Sequence, residues 1–437
     1  MSIFRLGSTA LGLMIVATSV HAQGPNSLEF SFSNPGARAM GFGGAFTGLA
    51  DDATAAFANP AGLVQLVQPE VSLEGRRWSY ETPYTVGGRA SGPPSGSGID
   101  TTEGLRFGVS SEDLAGISFL SFVYPAKRWS LAFYRHQLAN FESDSATNGL
   151  FAEAGGGATA RLEDALVSTQ LDLVTNGVSA AYKLSDAFSF GFGFAYVEGD
   201  LLVRQQVFLP DDDSAASLFS ANSYLPERLI GTAEIRVDEA DWVLSAGFLL
   251  RVHERVSLGG VYRQAPKFRA DVAEIAGPAF DPLVPPGTVL ASETPMDFPD
   301  VYGLGLAARS KSEALTFSFD WVHVEYSAVL DSLNRDVFDD VPVVDDADEL
   351  HAGVEYVLVR KTPVVALRFG AWLDPDHRLR SSVGETEPFD VALFRAGDDE
   401  VHVAAGFGLV FDKVQLDLGV DFSKSVDTVA ISMLYPF

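Results

Sequence analysis

Apolar residues alternate with small or polar ones through most of this chain. In Ala187 to Val197 the even positions are Phe188, Phe190, Phe192, Phe194 and Tyr196, and the odd ones include Ser189, Gly191, Gly193 and Ala195. In Lys413 to Phe422, the set Val414, Leu416, Leu418, Val420 and Phe422 alternates with Gln415, Asp417, Gly419 and Asp421. A period of two sets one face of an extended strand in apolar surroundings and the other against small or polar groups. One such strand suits any sandwich. A long succession of them, from about residue 71 onward, predicts an all-β protein: a transmembrane antiparallel β-barrel with lipid on its outside.

About fourteen strands are predicted, near 71–80, 114–124, 129–140, 160–184, 187–208, 231–251, 254–275, 300–309, 312–326, 349–359, 363–376, 400–411, 414–424 and 428–437. Tight turns at 125–128, 185–186, 253, 310–311, 360–362 and 412–413 alternate with long polar segments near 81–113, 141–159, 209–230, 276–299, 327–348 and 377–399. Short connections on one rim and long ones on the other are the habit of outer-membrane barrels. The last connection, near Ser425–Asp427, is short and departs from that habit. Closure is required, because an open sheet edge in lipid leaves backbone groups unpaired.

Both ends agree with export to an outer membrane. Arg5 begins a positive n-region, Leu6 to Val20 form an apolar stretch, and Val20-His21-Ala22 reads as a cleavage site before Gln23, so residues 1–22 are expected to be a signal peptide. That stretch is shorter than the about twenty apolar residues a spanning helix needs. At the other end Val429, Ile431, Met433, Tyr435 and the terminal Phe437 share one parity. Tyr435 and Phe437 resemble the signal read by the barrel-assembly machinery, which is the partner expected during biogenesis.

Composition narrows the class further. The chain has no cysteine, which excludes a disulfide framework and thiolate metal sites. Its 58 acidic residues against 30 basic ones give a net charge of −28, so nucleic acid is not an expected partner. No cofactor or resident metal is expected. The acidic runs Asp211–Asp213, Asp345-Asp346 with Asp348-Glu349, and Asp398-Asp399-Glu400 lack the spacing of a calcium loop and read as solvated surface. Catalysis is not expected either: Asp376-His377, the nearest acid–base pair, lacks an accompanying nucleophile.

Residues 23–66 do not alternate. They are rich in Gly and Ala, with Asp51 or Asp52 placed to cap a short helix over Ala53 to Ala58 and Asn59-Pro60 placed to end it. The expected division is therefore a signal peptide at 1–22, a compact N-terminal hatch at 23–66 and the barrel at 67–437. A periplasmic tail or linker is the alternative for 23–66.

The ordered set Ala50-Asp51-Asp52-Ala53-Thr54 and Asn59-Pro60-Ala61, with Phe298-Pro299-Asp300-Val301-Tyr302-Gly303, Phe319-Asp320-Trp321, Glu349-Leu350-His351-Ala352-Gly353 and Arg368-Phe369-Gly370-Ala371-Trp372, resembles the FadL-type long-chain fatty acid transporters. The resemblance implies a plugged fourteen-stranded barrel in the outer membrane. It further implies passive uptake of hydrophobic compounds, most simply long-chain fatty acids, with sideways release into the membrane. A monomer among outer-membrane lipid and lipopolysaccharide is expected. The middle of the chain, roughly residues 80–300, matches no motif of that family, which leaves the identity of the ligand open. Two other functions stand beside this one: a non-transporting barrel that scaffolds a secretion or adhesion assembly, and a general aqueous porin.

A fatty-acid carboxylate calls for an inward Arg. Strand parity points Arg263 and Arg368 into the barrel, opposite outward Tyr262 and Phe369, while Asp320, Glu355, Asp417 and Asp421 compete as structural ion-pair partners. Residues Ile117 to Tyr124 are apolar on both faces, which makes Phe122 a candidate for a greasy lumen wall unless the strand packs on the hatch. Phe30 and Phe32, at period two in the mature N-terminus, are candidates for reaching the ligand pocket from below.

Overall fold

The computed structural model describes residues 34–94, 104–153, 159–210, 224–332, 342–378, 380–381 and 397–437. The predicted signal peptide, Phe30, Phe32 and Asp211–Asp213 lie outside the described residues. Among those described, fourteen strands form a closed antiparallel barrel. They are β1 Glu70–Arg89, β2 Leu105–Ala126, β3 Trp129–Thr147, β4 Asp164–Lys183, β5 Phe188–Phe208 and β6 Leu229–His253. β7 is Val256–Arg263 continued by Lys267–Ala276, and β8 is Val289–Asp297 continued by Val301–Arg309. Then follow β9 Leu315–Val324, β10 Ala347–Leu358, β11 Val364–Asp374, β12 Glu400–Val410, β13 Gln415–Phe422 and β14 Val426–Pro436. β14 closes on β1, from Glu70 opposite Pro436 to Tyr80 opposite Val426.

The alternation has its expected cause. On β11, Leu367 and Phe369 are exposed to the outside, while Ala366, Arg368 and Trp372 are buried within. Around the outside, Phe133, Phe192, Trp242, Leu304, Phe319, Phe407 and Ile431 are exposed in the same way. Trp242 stacks on Phe194 with ring centroids 4.6 Å apart, and Tyr262 leans on Tyr302 at 5.0 Å. Such an apolar belt bearing aromatic rings is stable only where lipid replaces water.

Several strands run further than predicted. β1 reaches Arg89 and β2 starts at Leu105, so much of the expected loop 81–113 is sheet. The expected loop 276–299 likewise contains strand, since Val289–Asp297 pairs with Lys267–Ala276. The alternation hid this because β7 and β8 break together, at Gln264-Ala265-Pro266 and Phe298-Pro299-Asp300. A proline lacks the N–H that a ladder requires, so paired strands interrupt there.

Residues 34–66 fill the barrel. They form helix α1 Ala37–Gly41, helix α2 Ala55–Ala58 and a 3₁₀ helix Pro60–Gln65. Phe42, Phe46, Leu49 and Leu63 are fully enclosed. Small wall residues permit this close fit: a Cβ on Gly370 would lie 2.2 Å from the Gly43 nitrogen, and one on Gly353 would lie 2.3 Å from the Phe42 oxygen. Gly43 itself adopts φ +65°, a backbone region that glycine enters without strain.

Two neighbouring strand pairs lose their ladder part-way up. β2 and β3 pair only from Ala126–Trp129 to Phe119–His136. β6 and β7 pair from His253–Val256 to Ser245–Arg263, and pairing resumes only at Arg236–Asp271.

Candidate functional site

The plug is pinned to the wall by charge-assisted bonds. The Arg38 guanidinium donates to Asp51 at 2.6 Å and to Asp52 at 3.2 Å, and pairs with Glu355 of β10 at 3.3 Å. Arg309 of β8 reaches Asp51 at 2.7 Å. Burial raises the Asp52 carboxyl above its ordinary range, against the pull of Arg38. Asp52 also accepts the Thr54 amide at 2.9 Å and shapes the turn before α2, but α2 begins at Ala55 with Thr54 at its N-cap and no side-chain cap bond, in place of the expected Asp51 or Asp52 cap over Ala53 to Ala58. On β9, the Asp320 carboxylate accepts the plug amides of Phe46 and Thr47 at 2.8 and 2.6 Å. Asn59 accepts the Ala61 amide and donates to the carbonyls of Thr47 and of Phe248 on β6, at 3.0 and 3.1 Å. The Ala61 carbonyl accepts Ser189 of β5 at 2.9 Å, while Pro60 opens the 3₁₀ helix. The five hatch-motif positions thus turn the plug chain and fasten it to the wall.

Above the plug lies a cavity of about 100 Å³. Its floor includes Asn34, Met40 and Gly44, and its walls carry Trp78 and Tyr80 of β1, Leu138 of β3, Arg263 of β7 and Trp372 of β11. The Trp372 indole is flanked by His351 and His402, with centroids 5.0 and 3.8 Å away, and donates to Asp421 at 2.9 Å. His402 Nδ1 lies 2.6 Å from the other Asp421 oxygen. His351 Nδ1 donates to the Gly43 carbonyl at 2.7 Å, tying wall to plug, and its Nε2 faces Glu349 at 3.0 Å. The aromatic wall is therefore held by polar groups that already satisfy one another.

The two arginines expected to point inward differ sharply. Arg368 is buried against the plug and engages Glu355 and Asp417, each at 2.6 Å. The structural ion-pair alternative describes its surroundings, with both neighbouring acids engaged. Arg263 lies over the Phe57 ring at 4.9 Å and donates to the Asn34 side chain at 3.3 Å and the Ala58 carbonyl at 3.5 Å. No carboxylate among the described residues is within ion-pairing distance of it. A smaller cavity of about 50 Å³ adjoins the first, sharing Leu138 and Arg263 with it.

Phe122 requires a correction. It faces outward, 37% exposed, and stacks on Phe437 at 6.2 Å, because parity in β2 turns Phe119 and Val123 inward instead. Those two are wholly buried; Phe119 lies in edge contact with His136, which in turn packs on Phe57 of the plug. The strand is apolar on both faces because lipid covers one and the plug the other. Tyr435 and Phe437 also face outward, their rings stacked at 6.2 Å. Trp78, Tyr80 and Leu138 escaped the sequence reading. Trp78 and Tyr80 alternate with Arg77 and Ser79, a parity that gives their inward face.

Comparison with solved structures decides the architecture. A FadL homologue from Pseudomonas aeruginosa superposes with a TM-score of 0.63 at 14% identity, over 94% of this chain and 99% of that one. The chain has the FadL-type fold. The P. putida toluene transporter TodX gives a TM-score of 0.58 at 15% identity, over 93% of this chain and 99% of that one. The CymD monoaromatic hydrocarbon channel gives 0.57 at 16%, over 94% and 99%. No family profile and no curated protein sequence matches the chain. The FadL-type fold is thus shared at a level of identity where side chains in the lumen are free to differ.

Proposed function

We propose that the chain is a passive outer-membrane channel for hydrophobic compounds, which enter the lumen from the loop side and leave sideways through the wall. The observation that carries this reading is the plugged lumen itself. Residues 34–66 obstruct a straight aqueous path, while aromatic cavities persist above and beside them. A general porin keeps an open polar channel. The solved structures of the same fold include a toluene transporter and monoaromatic hydrocarbon channels, which supports transport over a scaffold role.

Long-chain fatty acids remain the class suggested by the sequence, and for them Arg263, which lines both cavities, is the proposed partner of the carboxylate. A second class, single-ring aromatic compounds, is favoured by volume. Cavities of about 100 and 50 Å³ approach the size that holds one ring, since an engineered protein cavity of about 150 Å³ binds benzene. An extended acyl chain needs those cavities to join.

The test is uptake of radiolabelled oleate and of radiolabelled toluene by cells lacking their own transporter, with and without this protein. Faster uptake of either compound supports the channel and names its class. Background uptake of both, with folded barrel present in the outer membrane, overturns it.

A further inference from the structure

Charge is divided between the two rims of the barrel. The short turns mark one rim as periplasmic. Its six turns, at 126–129, 183–187, 251–255, 309–314, 359–363 and 411–414, hold ten Lys or Arg against four Asp or Glu. In the whole chain acids outnumber bases 58 to 30, so this rim reverses the charge of the molecule around it. The outer half of the wall is acidic instead. Asp172 stands opposite Asp200, and Asp200 opposite Asp238, across β4, β5 and β6, with all three side chains exposed on the outside. The two halves act separately, because charges a membrane's thickness apart are largely screened by salt, the Debye length being about 10 Å at 0.1 M.

The rim cations are presented outward rather than consumed within the protein. Lys183 pairs with Asp186 at 2.8 Å. Lys127, Arg128, Lys311, Arg360, Lys361 and Lys413 are exposed, and none of the six forms an ion pair among the described residues. On the loop side, outward cations are paired: Arg204 with Glu234 at 2.7 Å, Lys267 with Asp297 at 3.0 Å and Arg269 with Glu293 at 3.6 Å. Four of the rim turns also carry an apolar side chain exposed on the outside, namely Trp129, Leu184, Val252 and Phe411. Trp129 leans on Tyr182 with ring centroids 4.6 Å apart, part of an aromatic girdle at this level. Those apolar groups belong among the first acyl carbons, so the Lys and Arg beside them fall at the depth of the headgroups.

We infer that the periplasmic rim is a binding surface for anionic glycerophospholipids of the inner leaflet, whose phosphates accept hydrogen bonds from these exposed Lys and Arg side chains. Lys311, Arg360, Lys361 and Lys413 form one arc on three successive turns, and Lys127 with Arg128 form a second patch beside Trp129. A cluster of four or more cations next to a bilayer draws anionic lipid because each meets a headgroup at short range, inside the Debye length. Arginine adds a fork that matches two phosphate oxygens. The bound lipids hold the lower edge of the barrel at a fixed depth through phosphate and acyl chain together. The inference depends on the outer-membrane barrel and not on what passes through it.

Lipid competition tests it. The full barrel is placed in phosphatidylcholine vesicles, and spin-labelled phosphatidylglycerol and phosphatidylcholine are compared for the fraction immobilised against the protein. One variant carries Lys127→Gln, Arg128→Gln, Lys311→Gln, Arg360→Gln, Lys361→Gln and Lys413→Gln. A second carries Lys127→Arg, Lys311→Arg, Lys361→Arg and Lys413→Arg, which keeps every charge. Heat-modifiable gel migration reports a folded barrel. A cation at the surface favours an anionic lipid about fivefold, so the unsubstituted protein and the arginine variant prefer phosphatidylglycerol by roughly two- to fivefold averaged over the wall. That preference shrinks in 1 M salt and is absent from the glutamine variant. Equal association of the two lipids with the unsubstituted protein overturns the inference, as does a preference that salt leaves unchanged. An undiminished preference in the folded glutamine variant, or its loss in the arginine variant, overturns it too. Flux of hydrophobic compounds is a separate readout, so the transport reading stands or falls on its own.

Discussion

Gly370→Val should unseat the plug. The substitution places a Cβ 2.2 Å from the Gly43 nitrogen, where ordinary contact begins at 3.4 Å, so plug backbone must retreat by about 1.2 Å. Gly43 is backbone with no flexible end to give way. Its retreat stretches the 2.7 Å bond from His351 and loosens Phe42, which is fully enclosed. Overpacking of this kind costs about 1–3 kcal/mol and a lost neutral hydrogen bond roughly another 1. Together they weaken plug seating by about 2–4 kcal/mol, and each 1.4 kcal/mol changes a population about tenfold. Amide hydrogen exchange across residues 37–49 should therefore quicken by roughly thirty- to several-hundredfold, with exchange in β4 and β5 unchanged. Bilayer recordings should show intermittent aqueous conductance. Unchanged protection of 37–49 in a folded Gly370→Val barrel would refute the reasoning, because it would mean that the plug does not rest against this wall.

Other substitutions separate structure from ligand contact. Arg368→Met leaves the buried Asp417 carboxylate without its charged partner and Glu355 with Arg38 alone, and should lower unfolding stability by about 3–5 kcal/mol while leaving the Kd for hydrophobic ligands unchanged. A denaturant titration alongside a binding titration reads both. Arg263→Met, by contrast, should weaken binding of a carboxylate ligand and spare a neutral aromatic one; equal loss for both would place Arg263 in a purely structural role. Deleting Phe437 should lower the yield of heat-modifiable barrel in outer-membrane fractions, since the residue carries the aromatic end of β14.

The barrel was legible because membrane strands meet two different environments, so Phe188 to Tyr196 announces both its period and its faces. Strand parity also oriented Arg368 and Arg263. What parity cannot convey is which partner waits inside. Glu355 and Asp417 flank Arg368 through pairings that bring together residues distant in sequence, while Arg263 meets the plug ring of Phe57. The same limit misplaced Phe122: a strand apolar on both faces does not reveal that one of them is packed against a plug. The outer half of β8, Val289–Asp297, escaped because Phe298-Pro299-Asp300 interrupts the alternation, whereas the outer half of β7 fell within the strand expected at 254–275. Composition revealed the plug's small size, whereas its fastenings at Asp320, Asn59 and Arg38 required the folded chain. Trp78, Tyr80 and Leu138 converge on one cavity only after the barrel closes.

The most direct measurement is flux through purified protein reconstituted in liposomes, following labelled toluene and oleate across the bilayer while ionic conductance is recorded from the same preparation. The account predicts accelerated movement of at least one hydrophobic compound with no steady ionic current, since residues 34–66 stand in the lumen. Steady current without hydrophobic flux would contradict it and make the chain an aqueous pore.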